Sequence, residues 1–281
     1  MRTIRMKIKI VSDSASNVYG IPQEDYVSVP LKVVTDKKEY ADTPDLDVCQ
    51  MVEELRAYKG RSGTACPSHG DWLEAFGEEK WIICITITGK LSGSYNAARL
   101  AGEEYEEAFP ERKVFVLDSL SAGPEMHLLI DEAKRLRETE TEFETVCKKL
   151  QEYSNHTCLL FALESMKNLA NNGRISPAAA KIAGVLGIRA IGKAQDGELQ
   201  MNAKCRGEKG ALVEILKEMK DYGYAGGKVI LAHCLNLKMA EKMRTEIQKE
   251  FPQAEIRIGE TTGLCSFYAE KGGLMIGFET E

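Results

Sequence analysis

The chain has 281 residues, of which 43% are hydrophobic and 28% are charged, and its formal net charge at pH 7 is −6. This length and composition are typical of a globular protein with about two domains of ~150 residues each. The excess of acidic residues argues against nonspecific binding to nucleic acid and against electrostatic attraction to anionic membranes.

The N-terminal residues and the apolar segments predict a cytoplasmic protein without stable membrane insertion. Charged residues interrupt the apolar ones over 1–11, so a signal-peptide core cannot form there. The most apolar stretch, 81–87, is far shorter than the ~20 residues that span a bilayer. The eight cysteines and four histidines are dispersed and lack metal-ligand spacing. We therefore expect neither a bound metal nor disulfides.

The first half of the chain alternates strand and helix patterns, as a parallel sheet with crossover helices requires. Apolar, β-branched runs predict strands over 7–11, 27–34, 81–88 and 113–117. Apolar residues at helical spacing predict helices over 47–58, 71–76, 94–109, 126–137 and 142–153.

The pattern restarts after about residue 154 and becomes less regular. Strands are predicted over 157–163, 187–194, 198–201, 228–233, 255–258 and 274–278. Helices are predicted over 165–171, 177–185, 209–222 and 238–250. Asp196 and Gly197 are a hairpin signal. We therefore predict an α/β protein with a parallel-sheet domain over 1–155, an α+β mixed-sheet domain over 156–281, and a cleft between them.

A turn rich in hydroxyl groups and glycine follows the strand predicted over 81–88. It contains Ser92, Gly93 and Ser94 and leads directly into a predicted helix. Backbone N–H groups and the positive end of the helix can hold an anion at such a turn, beyond the carboxyl end of a strand. A serine in this position also commonly does no more than cap its helix.

A second candidate anion-binding turn covers residues 64–71. Pro67 keeps the preceding residue out of a helix, and Ser68 and Asp71 have the spacing of a capping box. Capping accounts for Ser68 but not for Thr64, which lies outside the cap and is free to bind a ligand.

Known catalytic motifs do not fit these turns. Ser92 and Ser94 lack the glycine that precedes the serine of a nucleophile elbow, and the P-loop spacing is absent. Among the histidines, His69 alone falls in a segment suspected of binding a ligand. Arg174 lies in a turn between two segments of low polarity, where a functional role and simple solvation are equally good interpretations.

Together these segments resemble the DegV family over essentially the whole chain. Order and spacing carry the resemblance, since no single stretch is diagnostic. The matching stretches are 10–16, 29–33, 40–42, 64–68, 87–98, 116–119, 169–176 and 197–199, followed by Arg206.

The resemblance implies a two-domain EDD-type fold that holds one long-chain fatty acid between its domains. The carboxylate is then expected at the Thr64 turn and at the helix start formed by Ser92, Gly93 and Ser94, with the tail in an apolar tunnel. Such a protein is not an enzyme and needs no cofactor. In several bacteria DegV-like proteins carry the acyl chain to a separate fatty acid kinase, which is the partner that the resemblance implies.

The chain departs from the family pattern near its C-terminus. Kinase-coupled members often carry a His followed by Gly-Pro-Gly, whereas residues 263–273 contain no His. Cys265 or Tyr268 takes its place, and neither side chain is a cation at neutral pH. Arg174 and Arg206 are retained and are candidates to contact the headgroup or the kinase, although an exposed helix start explains Arg206 equally well.

Two other classes of function stay open at this point. The first is an enzyme that acts on a small phosphorylated or keto substrate and uses His69 as its base. The second is an interaction module that docks a basic partner on the acidic face over 103–107. The sequence offers no particular support for the second.

Overall fold

The computed structural model describes residues 7–20, 25–176 and 187–281. The helix predicted over 177–185 lies outside these residues. The strands are β1 Ile8–Asp13, β2 Tyr26–Val29, β3 Lys32–Thr35, β4 Glu39–Ala41, β5 Ser62–Ala65, β6 Trp81–Thr86, β7 Lys113–Asp118, β8 Thr157–Leu163, β9 Ile188–Gln195, β10 Glu198–Arg206, β11 Lys228–His233, β12 Glu255–Glu260 and β13 Leu274–Glu279. The helices are α1 Val48–Ala57, α2 His69–Phe76, α3 Ser94–Ala108, α4 Pro124–Thr139, α5 Phe143–Tyr153, α6 Lys167–Asn171, α7 Gly207–Asp221, α8 Leu237–Glu250 and α9 Gly263–Ala269.

Strands β2, β1, β6 and β7 form the predicted parallel sheet, in that order. Both of its faces are covered, by α4 and α5 on one side and by α2 and α3 on the other, which is why Ile82, Ile83 and Ile85 are all fully buried. The loops that follow β1, β6 and β7 meet at the carboxyl edge of the sheet. This is the edge where parallel sheets bind ligands.

The single strand predicted over 27–34 is wrong, because the chain leaves the parallel sheet at Pro30. Proline cannot donate a hydrogen bond to a neighbouring strand. Residues after it form β3, the centre of a small antiparallel sheet with the order β4-β3-β5. Strand β5 includes Thr64, which pairs with Val33. Thr64 therefore lies in a strand and not in the predicted turn, whereas the capping box of Ser68 and Asp71 is confirmed at the start of α2.

The second half forms the predicted mixed sheet, with the order β10-β9-β8-β13-β11-β12. Only β11 and β12 run parallel within this set of described strands. Asp196 and Gly197 have φ values of 53° and 82°, as a two-residue type I′ turn requires, so the predicted hairpin is confirmed. Helices α7 and α8 pack on one face of the sheet, and the other face is turned toward the first half of the chain.

Helix α9 was not predicted, and it lies between the two halves. Its first two backbone N–H groups donate to the buried carboxylate of Asp42, from Gly263 at 2.5 Å and from Leu264 at 2.9 Å. It packs against α1 and β3, which belong to the first half of the chain. The division of the domains at residue 155 stays a prediction. Across the described ranges, no helix is both long and apolar enough to cross a membrane.

Candidate ligand-binding site

A pocket lies between the carboxyl edge of the parallel sheet and the inward face of the mixed sheet. The empty volume between its walls is about 660 Å³, which includes the part that is open to solvent. Most of its lining is aliphatic or aromatic. The lining residues are Leu31, Thr64, Ile87, Leu91, Ser92, Ala122, Leu159, Phe161, Leu163, Leu169, Arg174, Leu199, Leu264, Cys265, Tyr268, Ala269 and Met275. An apolar pocket with a few converging polar groups suits a largely apolar ligand that has one polar end.

The polar side chains of the pocket are gathered at one end by a chain of contacts. The hydroxyl groups of Thr64 and Tyr268 are 2.8 Å apart and share a hydrogen bond. The guanidinium of Arg174 lies 5.9 Å from the centre of the Tyr268 ring, and its Nε donates to the Leu91 carbonyl at 3.1 Å. Ser92 follows Leu91 directly. We call Thr64, Ser92, Arg174 and Tyr268 the polar end of the pocket.

The three residues predicted at the start of α3 have different surroundings. Ser92 lines the pocket, and its Oγ accepts a local hydrogen bond from the Ser94 backbone N–H at 3.2 Å. Gly93 is the N-cap residue of α3 and is exposed. Ser94 is fully buried and donates to Asp13 at 2.6 Å, so its hydroxyl is turned away from the pocket. Of the three residues, Ser92 alone lines the pocket.

Asp13 holds the loop between β6 and α3 in place through hydrogen bonds. It was not among the predicted site residues. Its carboxylate accepts hydrogen bonds from the Ser94 hydroxyl and from the backbone N–H groups of Ile87, at 3.0 Å, and Ala15, at 3.2 Å. It therefore holds both ends of the loop that presents Ser92. Complete burial raises the pKa of Asp13 to about 7, because a buried carboxylate is poorly solvated in its charged form.

Cys265 and Tyr268, the two candidates for the position of the family histidine, differ in what they contact. The thiol of Cys265 is buried and donates to the Ala15 carbonyl at 3.3 Å. Tyr268 lies one helical turn further along α9, and its hydroxyl reaches Thr64 at the polar end. Burial raises the pKa of Tyr268, so the phenol is neutral near pH 7 and can donate a hydrogen bond.

Two other candidates lie away from the pocket. Arg206 is exposed at the last position of β10, whereas Leu199 lines the pocket near the first. Seven residues of strand, about 23 Å at ~3.3 Å each, separate them. His69 begins α2, and its Nε2 is 3.2 Å from the carboxylate of Glu104. Neither Arg206 nor His69 is part of the pocket lining.

Sequence reasoning did not single out the apolar wall of the pocket, because the apolar run over β8 predicts only a buried strand. Leu159, Phe161 and Leu163 alternate along β8 and all line the pocket. A strand with one face toward a ligand and the other toward covering helices shows no polar alternation, so its ligand-facing residues cannot be distinguished from core residues.

In the ranges that the structure describes, no cluster of three or more His, Cys, Asp or Glu side chains could hold a metal ion.

Comparison with known proteins places the chain in one family. A DegV domain-containing protein of Streptococcus pneumoniae is 41% identical over 281 residues, which cover 98% of this chain and 100% of the relative. The Fatty Acid Kinase (Fak) B3 protein of S. pneumoniae, crystallised with linoleic acid, is 40% identical with a TM-score of 0.96. A DegV family protein from Eubacterium eligens, loaded with heptadecanoic acid, is 38% identical with a TM-score of 0.95.

Each of these two structures covers 98% of this chain and is itself covered completely. The sequence model of the family described as "Uncharacterised protein, DegV family" matches residues 7–281. This chain therefore belongs to the DegV family, and the predicted fold is confirmed.

Proposed function

We propose that this protein binds one long-chain fatty acid, with the carboxylate at the polar end of the pocket and the tail along its apolar walls. The observation that carries the proposal is the division of the pocket, in which Thr64, Ser92, Arg174 and Tyr268 lie together and the remaining lining is almost entirely apolar. The linoleic and heptadecanoic acids held by two relatives of about this length support it.

The polar end can replace the water that a fatty acid carboxylate loses. The carboxylate is ionised near pH 7, and an unpaired buried charge is very unfavourable. Thr64 and Tyr268 are 2.8 Å apart, close enough for both hydroxyl groups to donate to one oxygen, and Ser92 offers a third donor. Gly93 lies at the positive end of α3, which favours an anion. Arg174 adds positive charge without closing an ion pair inside the pocket.

The apolar walls account for tight retention of the tail. Each methylene group removed from water contributes ~0.8 kcal/mol. A tail of about fifteen methylenes gains on the order of 10 kcal/mol before the entropy lost on binding is subtracted. Such a ligand is expected to stay bound through purification.

The role of the carboxylate can be separated from that of the tail. Delipidated protein would be titrated with palmitate and, in parallel, with hexadecanol, which has the same chain length but no carboxylate. We expect about one palmitate per chain and a dissociation constant for hexadecanol about 100-fold higher, because hydrogen bonds to a charged group contribute ~1.5–3 kcal/mol each. Equal affinity for the two compounds would remove the carboxylate from the proposal, and uptake of neither would remove the function.

We also infer that the protein presents its ligand to a separate fatty acid kinase and does not itself catalyse a reaction. Support comes from the relative that is named as the B3 protein of a fatty acid kinase. It also comes from the described pocket lining, which contains no histidine or carboxylate that could act as a base. Protein loaded with labelled palmitate should yield acyl phosphate from ATP only when the catalytic subunit of a fatty acid kinase is added. Acyl phosphate formed without the kinase would contradict the inference.

A further inference from the structure

One row of residues crosses the mixed sheet on its pocket face. Gly192 of β9 pairs with Phe161 of β8, which pairs with Met275 of β13, and Met275 pairs with Ala232 of β11. Residues paired across neighbouring strands point to the same face of a sheet. Phe161 and Met275 are the large members of the row, and both line the pocket. They are cross-strand neighbours, so their tips would ordinarily fill the space between them.

The Phe161 ring leans away from Met275, onto the backbone of Gly192. A methyl group at Gly192 would overlap Cζ and Cε2 of Phe161, so the edge of the ring occupies the space that any other side chain would take. Strand β9 lies on the opposite side of β8 from β13. Gly192 therefore provides room for the ring on the side away from Met275.

Met275 leans in another direction, onto Gly123. A methyl group at Gly123 would lie 2.7 Å from Cε of Met275. Gly123 precedes α4, a helix that packs over β13 and β11, and its φ of 62° suits glycine. Each large side chain thus has its tip against a glycine, and the two glycines lie on different sides. With their tips drawn to different sides, the two side chains border the same pocket, and we call the space between their tips the gap.

We propose that Phe161 and Met275 determine which acyl chains the pocket accepts, because the tail passes through the gap between their tips. This inference rests on the proposed binding of a fatty acid. Phe161 is the fixed side of the gap, since an aromatic ring cannot change shape and Gly192 sets where it lies. Met275 is the adjustable side, since an unbranched thioether can move among several conformations to fit a straight or a bent chain.

Competition between two fatty acids tests this proposal directly. Each delipidated variant would be loaded from an equimolar mixture of palmitate and oleate, and the bound acids would be identified by mass spectrometry after denaturation. Phe161→Leu widens the fixed side, so the ratio of oleate to palmitate should rise by about threefold or more. In Met275→Leu the shorter side chain cannot reach Gly123 and keeps its bulk near the strand. The gap is then narrower, so the ratio of oleate to palmitate should fall by about twofold or more.

Leu160→Met provides the matched control. Leu160 is fully buried next to Phe161 on the same strand but faces α7 and α8 on the other side of the sheet. Its substitution should leave the ratio unchanged, even if it lowers stability. The opposite signs expected for the two test variants distinguish selection from general loosening of the core. If only one of them folds, its comparison with Leu160→Met makes the same distinction.

The outcomes separate this proposal from the function on which it rests. A wild-type protein that takes up neither acid contradicts fatty acid binding itself. A wild-type protein that binds normally, with variants that keep its ratio of oleate to palmitate, overturns the role of Phe161 and Met275 and leaves fatty acid binding intact. A change of equal size in Leu160→Met also overturns that role, because it would show that the ratio responds to any change in the core.

Discussion

The polar end and the apolar wall of the pocket are built in different ways. Four separate segments supply the polar end, and its Thr64–Tyr268 hydrogen bond joins residues 204 positions apart. A single strand, β8, supplies Leu159, Phe161 and Leu163 of the wall at alternate positions. The polar end therefore depends on how the two halves of the chain pack, and the wall depends on strand register. We expect changes at the polar end to alter retention of any fatty acid, and changes in the wall to alter which one is retained.

Removal of both hydroxyl groups contributed by the first half should have the largest effect. In Thr64→Ala/Ser92→Ala the carboxylate loses two donors, each contributing ~1.5–3 kcal/mol, so labelled palmitate should dissociate on the order of 100-fold faster or more. The rate would be measured by transfer of palmitate to phospholipid vesicles. His69→Ala is the control, because His69 contacts Glu104 and not the pocket. Equal acceleration in the double variant and the control would place the carboxylate elsewhere.

Asp13, which holds the loop that presents Ser92, should make the free energy of unfolding depend on pH. The pKa of Asp13 is about 7 in the folded protein, against 3.8 for the ordinary side chain, so the folded state holds the proton more tightly than the unfolded state. Asp13 then lowers the free energy of unfolding progressively as pH rises from about 4 to about 7. The free energy of unfolding of Asp13→Asn, measured relative to that of wild type, should therefore be about 2–3 kcal/mol higher at pH 8 than at pH 5.

Denaturant unfolding of both proteins at the two pH values provides this comparison. Taking the difference between variant and wild type cancels the titration of other buried groups, such as Glu125, whose pKa is also raised to about 7 by burial. A constant difference across the pH range would show that Asp13 does not titrate as its burial requires.

The two residues of α9 that could replace the family histidine should differ in their effects on retention. Tyr268→Phe removes the hydroxyl that reaches Thr64, and palmitate should dissociate about tenfold faster. Cys265→Ala leaves the polar end unchanged and should lower stability without a comparable change in the rate. The same vesicle transfer assay measures both. Faster dissociation from Cys265→Ala than from Tyr268→Phe would reverse this assignment.

The smallest effect is expected from the two arginines. Arg174 carries its charge near Tyr268 and is partly open to solvent, which weakens its attraction for an anion, so Arg174→Leu should accelerate dissociation by only about three- to fivefold. Arg206→Leu should leave the rate unchanged, since Arg206 is exposed and lies outside the pocket lining. A rate increase with Arg206→Leu would show that the end of β10 takes part in holding the ligand.

Elements with strong local periodicity could be predicted closely from the sequence. Strand β8 has the predicted bounds, and α3, predicted over 94–109, forms over Ser94–Ala108. Strands β4 and β5 could not be predicted, because they have only three and four residues and depend on pairing with β3. The start of α9 also depends on a distant residue, since its N-cap residue Thr262 makes no side-chain cap and the carboxylate that accepts its first N–H groups, Asp42, is 221 positions earlier in the chain.

The site could be predicted only where a local sequence feature marks a residue, and not where distant packing decides which side chain reaches the pocket. Thr64 and Ser92 could be predicted as binding residues from their hydroxyl groups and from the family resemblance, and both line one pocket, although Thr64 lies in a strand and not in a turn. The choice between Cys265 and Tyr268 depends on the direction in which α9 presents its side chains, which only the packing of that helix decides. Ser94 has the same residue type as Ser92, yet its hydroxyl bonds to a buried carboxylate 81 positions away.

Identification of the lipid that copurifies with the chain tests the central claim most directly. Freshly purified protein would be denatured and extracted, and the released acids would be quantified by mass spectrometry against the protein. We expect close to one long-chain fatty acid per chain, and much less from Thr64→Ala/Ser92→Ala prepared in the same way. Repeated preparations without fatty acid, and unable to take up palmitate or oleate, would contradict the account.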